Sequence, residues 1–363
     1  MTTIGASGGW TCGDIGDSSM ALRVAVLGAT GMIGREILGV LAERHFPADE
    51  VIAVASRKSI GREVTYGDVE LKAKDVDQID WSTIDLCLMA IGDNPARKWG
   101  NKISAAGCIV IDTSAAFRMD PQVPLVVPEV NAAAVEGYTK RNIIASPDSL
   151  TSQLVIALKP IHDRAGIERA VVSTYQSASS AGQRAMDELW TQTKGLFVNQ
   201  AVDPKEFPRQ IAFNVIPQID EFMDDGATEE EWRLAQETRK VLDPDIQIMA
   251  TCVRVPVFVG HGQAVHMELS EPLGAGDARA MLRESPGIMV VDKHEEENGY
   301  ITPIEAVGEW ATYISRIRND HTVANGLAMW VVSDNLRNGS ALNAVQIAEL
   351  LLNRGVFKPK ITG

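Results

Sequence analysis

Leu22-Arg23-Val24-Ala25-Val26-Leu27-Gly28-Ala29-Thr30-Gly31-Met32-Ile33-Gly34 is the stretch that decides the fold. Its first half is a short, nearly unbroken apolar run, the texture of a strand covered on both faces in a parallel sheet. Its second half places glycines at 28, 31 and 34, and an amphipathic helix is expected from about Met32 to Arg44. Glycine lacks a Cβ, so the backbone can turn tightly and approach a bound pyrophosphate. The helix that follows aims its unpaired N–H groups and positive dipole end at the same anion. Such a glycine spacing is weak evidence alone; between a buried strand and a helix it reads as a dinucleotide-binding turn. Gly28, Thr30, Gly31, Met32, Ile33 and Gly34 are the candidate contacts.

Outward from that turn, apolar runs recur at Glu50 to Ala55, Ile84 to Ile91 and Cys108 to Ile111. The second of these ends at Gly92-Asp93-Asn94-Pro95, which adds Gly92 to the cofactor candidates. Strands and helices alternating at this spacing predict an α/β fold, a Rossmann-type doubly wound parallel sheet. After about Ile144 the strand-like runs lengthen and alternate: Arg169 to Thr174, Met249 to Val259, Ala264 to Leu269, with an acidic helix at Thr228 to Lys240. That pattern predicts an α+β domain with a mixed sheet. A last helix is expected at Ala341 to Leu352. Residues 21–144 with 341–363 thus form the expected cofactor domain and residues 145–340 the second domain. Residues 1–20, rich in Gly, Ser and Thr, have neither a basic start nor an apolar stretch; they read as a disordered extension ahead of a start at Met20, not a signal peptide.

The net charge of −14 argues against nucleic-acid and membrane partners. No run approaches the ~20 apolar residues of a membrane span. Cys12, Cys87, Cys108 and Cys252 form no Cys-x-x-Cys pair, so a reduced, cytoplasmic protein without a structural metal is expected. The end of the second strand decides between dinucleotides. NAD sites place a carboxylate there for the ribose hydroxyls. This chain has Ser56-Arg57-Lys58-Ser59, with no acid until Glu63. Guanidinium and hydroxyl groups suit a 2′-phosphate. Ser56, Arg57 and Ser59 therefore point to NADP, the alternative being an exposed basic loop.

From Leu22 to about Val356 the chain resembles an aspartate-semialdehyde dehydrogenase. The resemblance rests on the glycine turn, Ser56-Arg57-Lys58-Ser59, residues 124–131 (PLVVPEVN), Ser173-Thr174-Tyr175-Gln176 and Phe213-Asn214-Val215-Ile216-Pro217. It continues through Glu237-Thr238-Arg239-Lys240, Cys252-Val253-Arg254-Val255-Pro256 and Asn343-Ala344-Val345-Gln346. It implies a homodimer, with the second domain serving catalysis and dimerisation. It also implies interconversion of aspartyl-β-phosphate and the semialdehyde with NADP(H). By the same resemblance Gln176 orients the acyl group, His261 is the acid/base and Arg254 grips the substrate carboxylate. Glu237 holds the substrate amino group, Arg118 and Lys240 are the phosphate-binding cations, and Asn343 contacts the cofactor.

The departure is at the nucleophile. The family motif Asn-Pro-Asn-Cys-Ser-Thr stands here as Ser146-Pro147-Asp148-Ser149-Leu150-Thr151, and the usual Ser-Gly-Ala-Gly as Ser179-Ser180-Ala181-Gly182. A thiol near pKa ~8.5 becomes a thiolate beside an imidazolium, whereas a serine hydroxyl needs a positioned base at the moment of attack. Asp148 places a carboxylate where an acyl phosphate would sit. Three readings follow. The first is an NADP-dependent oxidoreductase with altered chemistry on an aspartate-like substrate, by direct hydride transfer with His261 supplying the proton; Ser149 would bond the reacting oxygen and Asp148 would pair with a cationic group. The second is a catalytically silent, cofactor-binding paralogue with a regulatory or scaffolding role. The third is a low-rate aspartate-semialdehyde dehydrogenase. An engineered substrate trap is disfavoured, because Asp148 and Leu150 differ as well.

Overall fold

The computed structural model describes residues 22–200 and 202–357, so the N-terminal extension and Cys12 lie outside the described residues. In chain order the elements begin β1 (Arg23–Leu27), α1 (Met32–Glu43), β2 (Glu50–Ala55), β3 (Glu63–Tyr66), β4 (Val69–Lys72), β5 (Lys74–Asp75) and β6 (Leu86–Met89). They continue with α2 (Asp93–Ala105), β7 (Ile109–Asp112), α3 (Pro128–Asn131), β8 (Ile143–Ala145), α4 (Ser149–Ala165), β9 (Ile167–Gln176) and α5 (Gln183–Phe197). The rest are α6 (Glu229–Val241), β10 (Gln247–Arg254), β11 (His261–Leu269), α7 (Ala275–Arg283), β12 (Ile288–Val290), β13 (Thr312–Asp320), β14 (Gly326–Ser333) and α8 (Asn343–Asn353).

The first sheet has the order β5-β2-β1-β6-β7-β8 with every pairing parallel. It is covered on both faces, as the unbroken apolar run of β1 requires. Val24 and Val26 pack with Ile37 and Leu41 of α1 and with Val345 and Ile347 of α8. Ala25 and Leu27 pack the other way, against Trp99 and Ile103 of α2. The strand order reverses direction at β1 and β6, and the crevice beyond their carboxyl ends is where open α/β sheets bind ligands.

The second sheet is mixed, in the order β10-β9-β11-β14-β13-β12. β9 pairs parallel with β10 and antiparallel with β11, and β11 and β13 both run antiparallel to β14. Helix α4 joins the sheets. Its Leu154 and Leu158 pack into the core of the second sheet, and its Val155 and Ile156 into a core of the first. The first residue of α4 is therefore held at the junction by packing on both sides.

Several boundaries differ from the sequence expectation. Within the Ile84 to Ile91 run the strand itself spans Leu86–Met89, since the Ile84 amide closes a short turn by donating to Trp81 O at 3.3 Å. The Met249 to Val259 run stops at Arg254, two residues before Pro256, which cannot donate to a ladder. The last helix starts at Asn343 rather than Ala341, after a π-helical turn over Arg337–Leu342. His162, expected at the surface, is half-buried: its Nδ1 accepts from the Ile167 amide at 3.1 Å and its Nε2 pairs with Asp243 at 3.2 Å. Among the described residues no helix is long and apolar enough to cross a membrane.

Candidate active site

The glycine turn is built as an anion cradle. Gly28 has φ +94°, and a Cβ there would lie 2.1 Å from the Ala90 carbonyl oxygen. A Cβ on Gly34 would lie 2.1 Å from Gly28 O, so both positions demand glycine. The Gly28 and Ala29 amides donate to Val54 O at 2.8 and 3.1 Å, tying the turn to β2. Gly31 caps α1 without a side chain, as Gly92 caps α2, and both leave first-turn N–H groups open to an anion. Ser56 and Arg57 are exposed where β2 ends, and Arg57–Ser59 form one short turn. Asn343 is 2% exposed; its Nδ2 donates to Val126 O at 3.1 Å and Ser146 Oγ at 2.7 Å, while its Oδ1 is buried without a partner. A backbone cradle, open helix N–H groups and an orphaned acceptor fit a dinucleotide.

Ser149 is the first residue of α4. Asp148 caps that helix, its Oδ1 accepting from the Leu150 amide at 3.0 Å. The closest partner of Ser149 Oγ is that same carboxylate, at 3.4 Å. The π-helical turn packs directly on this point: a Cβ on Gly339 would stand 2.7 Å from Ser149 Cα. Among the described residues no histidine or lysine hydrogen-bonds the Ser149 hydroxyl, and Asp148 is the one base within reach of it.

Arg118 and the carboxylates beside Ser149 form a closed cluster. The Arg118 guanidinium, 6% exposed, donates to Glu237 Oε1 at 3.0 Å, Thr113 O at 2.9 Å and Ser146 O at 3.1 Å. It also faces Asp148 Oδ2 at 3.5 Å. Glu237 Oε2 accepts the Asp148 amide at 2.7 Å. Burial pushes the Asp148 carboxyl up, but Arg118 and the Leu150 amide outweigh it and hold the group below the usual carboxylate range. Lys240, named with Arg118 as a phosphate-binding cation, donates to the carbonyls of Arg118, Asp120 and Val123 at 2.6, 2.9 and 3.0 Å. Its three donors are thereby spent on the loop that carries Arg118.

The facing wall comes from the second sheet. His261, fully buried, accepts at Nδ1 from the Ser177 amide at 3.1 Å. A backbone N–H can only donate, so the ring proton resides on Nε2, which is buried without a partner. Burial, then the neighbouring Arg254, push the imidazole down to about 3, so the ring is neutral. Asn335 Oδ1 accepts from Ser177 Oγ at 3.2 Å, Ser179 Oγ at 3.1 Å and the Gly260 amide at 2.9 Å, fixing the loop that holds His261. Gln176 Nε2 donates to Glu230 Oε1 at 3.1 Å. Arg254 donates through Nη1 to Ser177 O at 2.9 Å and also to the Ser180 hydroxyl, at the position where the family pattern has glycine.

A cleft of about 370 Å³ joins the two halves, lined by Gly31, Met32 and Ile33 on one side and by Asp148, Ser149 and Ser180 on the other. No cysteine lines it. Cys252 is fully buried and burial pushes its thiol up, so it does not stand in for the missing nucleophile. The structure therefore brings Ser149, Asp148, Arg118, Glu237, Gln176, Arg254 and His261 to one end of the dinucleotide crevice. Sequence reasoning passed over Glu230, Ser177, Asn335 and Gly339. Only Glu230 carried a signal: it stands seven residues before Glu237, hence on the same face of α6.

A nucleotide crevice joined at a helix N-terminus to a polar pocket defines the class: a dinucleotide-binding α/β protein whose Rossmann-type sheet is followed by a mixed sheet. Residues 23–138 match the NAD binding domain of semialdehyde dehydrogenases and residues 158–338 their dimerisation domain. The chain is 46% identical to an aspartate-semialdehyde dehydrogenase of Aquifex aeolicus over 93% of its own length and 100% of that protein. It is 44% identical to one from Rickettsia conorii, over 91% and 98% respectively. The crystal structure of aspartate semialdehyde dehydrogenase II of Vibrio cholerae, complexed with ASA, superposes with a TM-score of 0.90 at 44% identity, covering 92% of this chain and 99% of that one. The chain belongs to the aspartate-semialdehyde dehydrogenase family and carries its NAD(P)-binding Rossmann domain.

Proposed function

We propose that this family member is an NADP-dependent, homodimeric oxidoreductase that moves a hydride directly to and from an aspartate-like carbonyl compound, without a covalent enzyme intermediate. The observation that carries the reading is the Asp148–Ser149 pair. The hydroxyl at the nucleophile position has as its nearest partner, at 3.4 Å, a carboxylate that Arg118 and the Leu150 amide make a weak base, and that carboxylate lies 3.5 Å from Arg118, where an anion would otherwise sit. With Arg118 paired to Glu237 and Asp148 and the three donors of Lys240 spent on carbonyls, neither of the two cations expected to bind phosphate is open to one.

The Ser56-Arg57-Lys58-Ser59 turn, exposed over its first three residues and with no acid, supports NADP over NAD. Bound along the glycine turn, the dinucleotide supplies or accepts the hydride. The substrate carbonyl lies against Ser149. Its oxygen takes a hydrogen bond from the neutral His261 Nε2–H, a role a neutral imidazole fills well. As the carbonyl carbon gains hydride, the oxygen takes that proton and water restores it to the ring, giving an alcohol. Among the described residues no hydrogen-bond acceptor engages Nε and Nη2 of Arg254, which suits them to a substrate carboxylate. Asp148 and Glu237 face a substrate ammonium.

NADPH oxidation is the test, against aspartate semialdehyde and a panel of related amino-acid aldehydes. The reading expects turnover with at least one of them, lost in His261→Ala. NADP binding with no turnover across the panel would establish the silent paralogue. Phosphate-dependent NADPH formation raised strongly in Ser149→Cys would establish the low-rate dehydrogenase.

A further inference from the structure

We propose that Glu230 is a positioning residue that decides which end of the Gln176 amide faces the cleft. The inference rests on the oxidoreductase reading above and on Gln176 facing the substrate, as the family resemblance implies. Gln176 is 1% exposed and Glu230 7%, so bulk water does not arbitrate between them. The two ends of a glutamine amide have nearly the same shape, and only the chemistry of their partners distinguishes them. Here Nε2 meets Glu230 Oε1 at 3.1 Å and Thr174 Oγ1 at 3.4 Å. An ionised carboxylate can only accept, so it draws Nε2 to itself and turns Oε1 outward. A protonated carboxyl carries an O–H that pairs equally well with Oε1, which frees Nε2 to face the substrate instead.

The groups around Glu230 make both states accessible. Asp148 faces it from the cap of α4, Asp220 from the preceding loop, and Arg254 and Cys252 from β10. On its own helix Arg233 Nη1 lies 3.4 Å away and also holds Asp220 and Glu229. Burial, then Asp148 and Asp220, push the Glu230 carboxyl up to about 8, against the pull of Arg233 and the Gln176 bond. A substrate carboxylate arriving at Arg254 would add negative charge and favour the protonated state, coupling substrate binding to the amide's orientation.

The experiment follows the Gln176 side-chain amide by NMR in the full-length, glutamine-¹⁵N-labelled protein with NADP, between about pH 6 and about pH 10. The resonance is expected to move with a midpoint near 8. Glu230→Gln, which keeps the shape and removes the proton, is expected to abolish the movement. Asp220→Asn removes a facing carboxylate at an exposed position, and the midpoint is expected to shift to lower pH. A resonance flat across the range, or one that titrates unchanged in Glu230→Gln, overturns the proposal. The measurement needs no turnover. An amide that titrates in a protein inactive on every aldehyde would leave the positioning intact and remove the oxidoreductase reading.

Discussion

Replacing Arg118 by methionine removes the one cation inside the Asp148–Glu237 cluster while keeping much of the side-chain volume. Three kinds of partner are stranded: Glu237, 1% exposed; the Asp148 carboxylate; and the carbonyls of Thr113 and Ser146. Breaking a buried ion pair by deleting one partner costs about 3–5 kcal/mol, and a stranded carbonyl adds about 1–3. Some relaxation is expected, so a loss of about 5 kcal/mol is the working figure, which for a chain of this size lowers Tm on the order of 10 °C. The pH dependence gives the sharper test. In the wild type Arg118 and the Leu150 amide outweigh burial and depress the Asp148 carboxyl, so its stabilising contribution is present above its unfolded pKa of ~3.9 and is lost as pH falls through the folded value. Without Arg118, burial acts with less opposition and the carboxyl rises. Asp148 then costs stability as pH increases. Differential scanning calorimetry should therefore show a wider gap between wild type and Arg118→Met near pH ~8 than near pH ~5. The double variant Arg118→Met, Asp148→Asn should recover part of the loss. A gap that narrows toward alkaline pH, or none at either pH, would refute this reading of the cluster.

Gly28→Ala forces a Cβ to 2.1 Å from Ala90 O at φ +94°, so NADPH affinity, followed by nucleotide fluorescence, should fall by more than ~10-fold. Arg57→Glu places a carboxylate beside the 2′-phosphate; NADPH binding should weaken ~10-fold or more while NADH binding is unchanged or improved. Asp148→Asn takes the carboxylate away from Arg118, 3.5 Å off, and should create inorganic phosphate binding that calorimetry does not detect in the wild type.

The cofactor half of the molecule was legible because its signals are local. A strand buried on both faces must be apolar throughout, and the turn after it must be glycine wherever a Cβ would strike Ala90 or Gly28. Linear sequence carries both facts. The second sheet was legible as a mixed, alternating one, although one strand end moved at Pro256, and the π-helical turn delayed the start of the last helix. The family resemblance brought Ser149, Arg118, Glu237, Gln176, Arg254 and His261 into view, but not what each donates to. That Lys240 is consumed by three backbone carbonyls, or that Ser177 fixes the His261 tautomer, depends on segments 84 or more residues apart. Asn335 and Gly339 had no periodicity or motif to mark them; their roles exist only once the turn after β14 has folded over Ser149 and the His261 loop.

Ser149→Ala addresses the mechanism most directly, assayed as NADPH oxidation with aspartate semialdehyde in phosphate-free buffer. If hydride reaches the carbonyl without an enzyme adduct, the variant retains at least roughly a tenth of the wild-type rate, whereas loss of the proton donor in His261→Ala costs ~100-fold or more. A wild-type rate that vanishes with the Ser149 hydroxyl would mean that the serine takes an essential part in the transfer step, and the account in which His261 alone supplies the proton would be wrong.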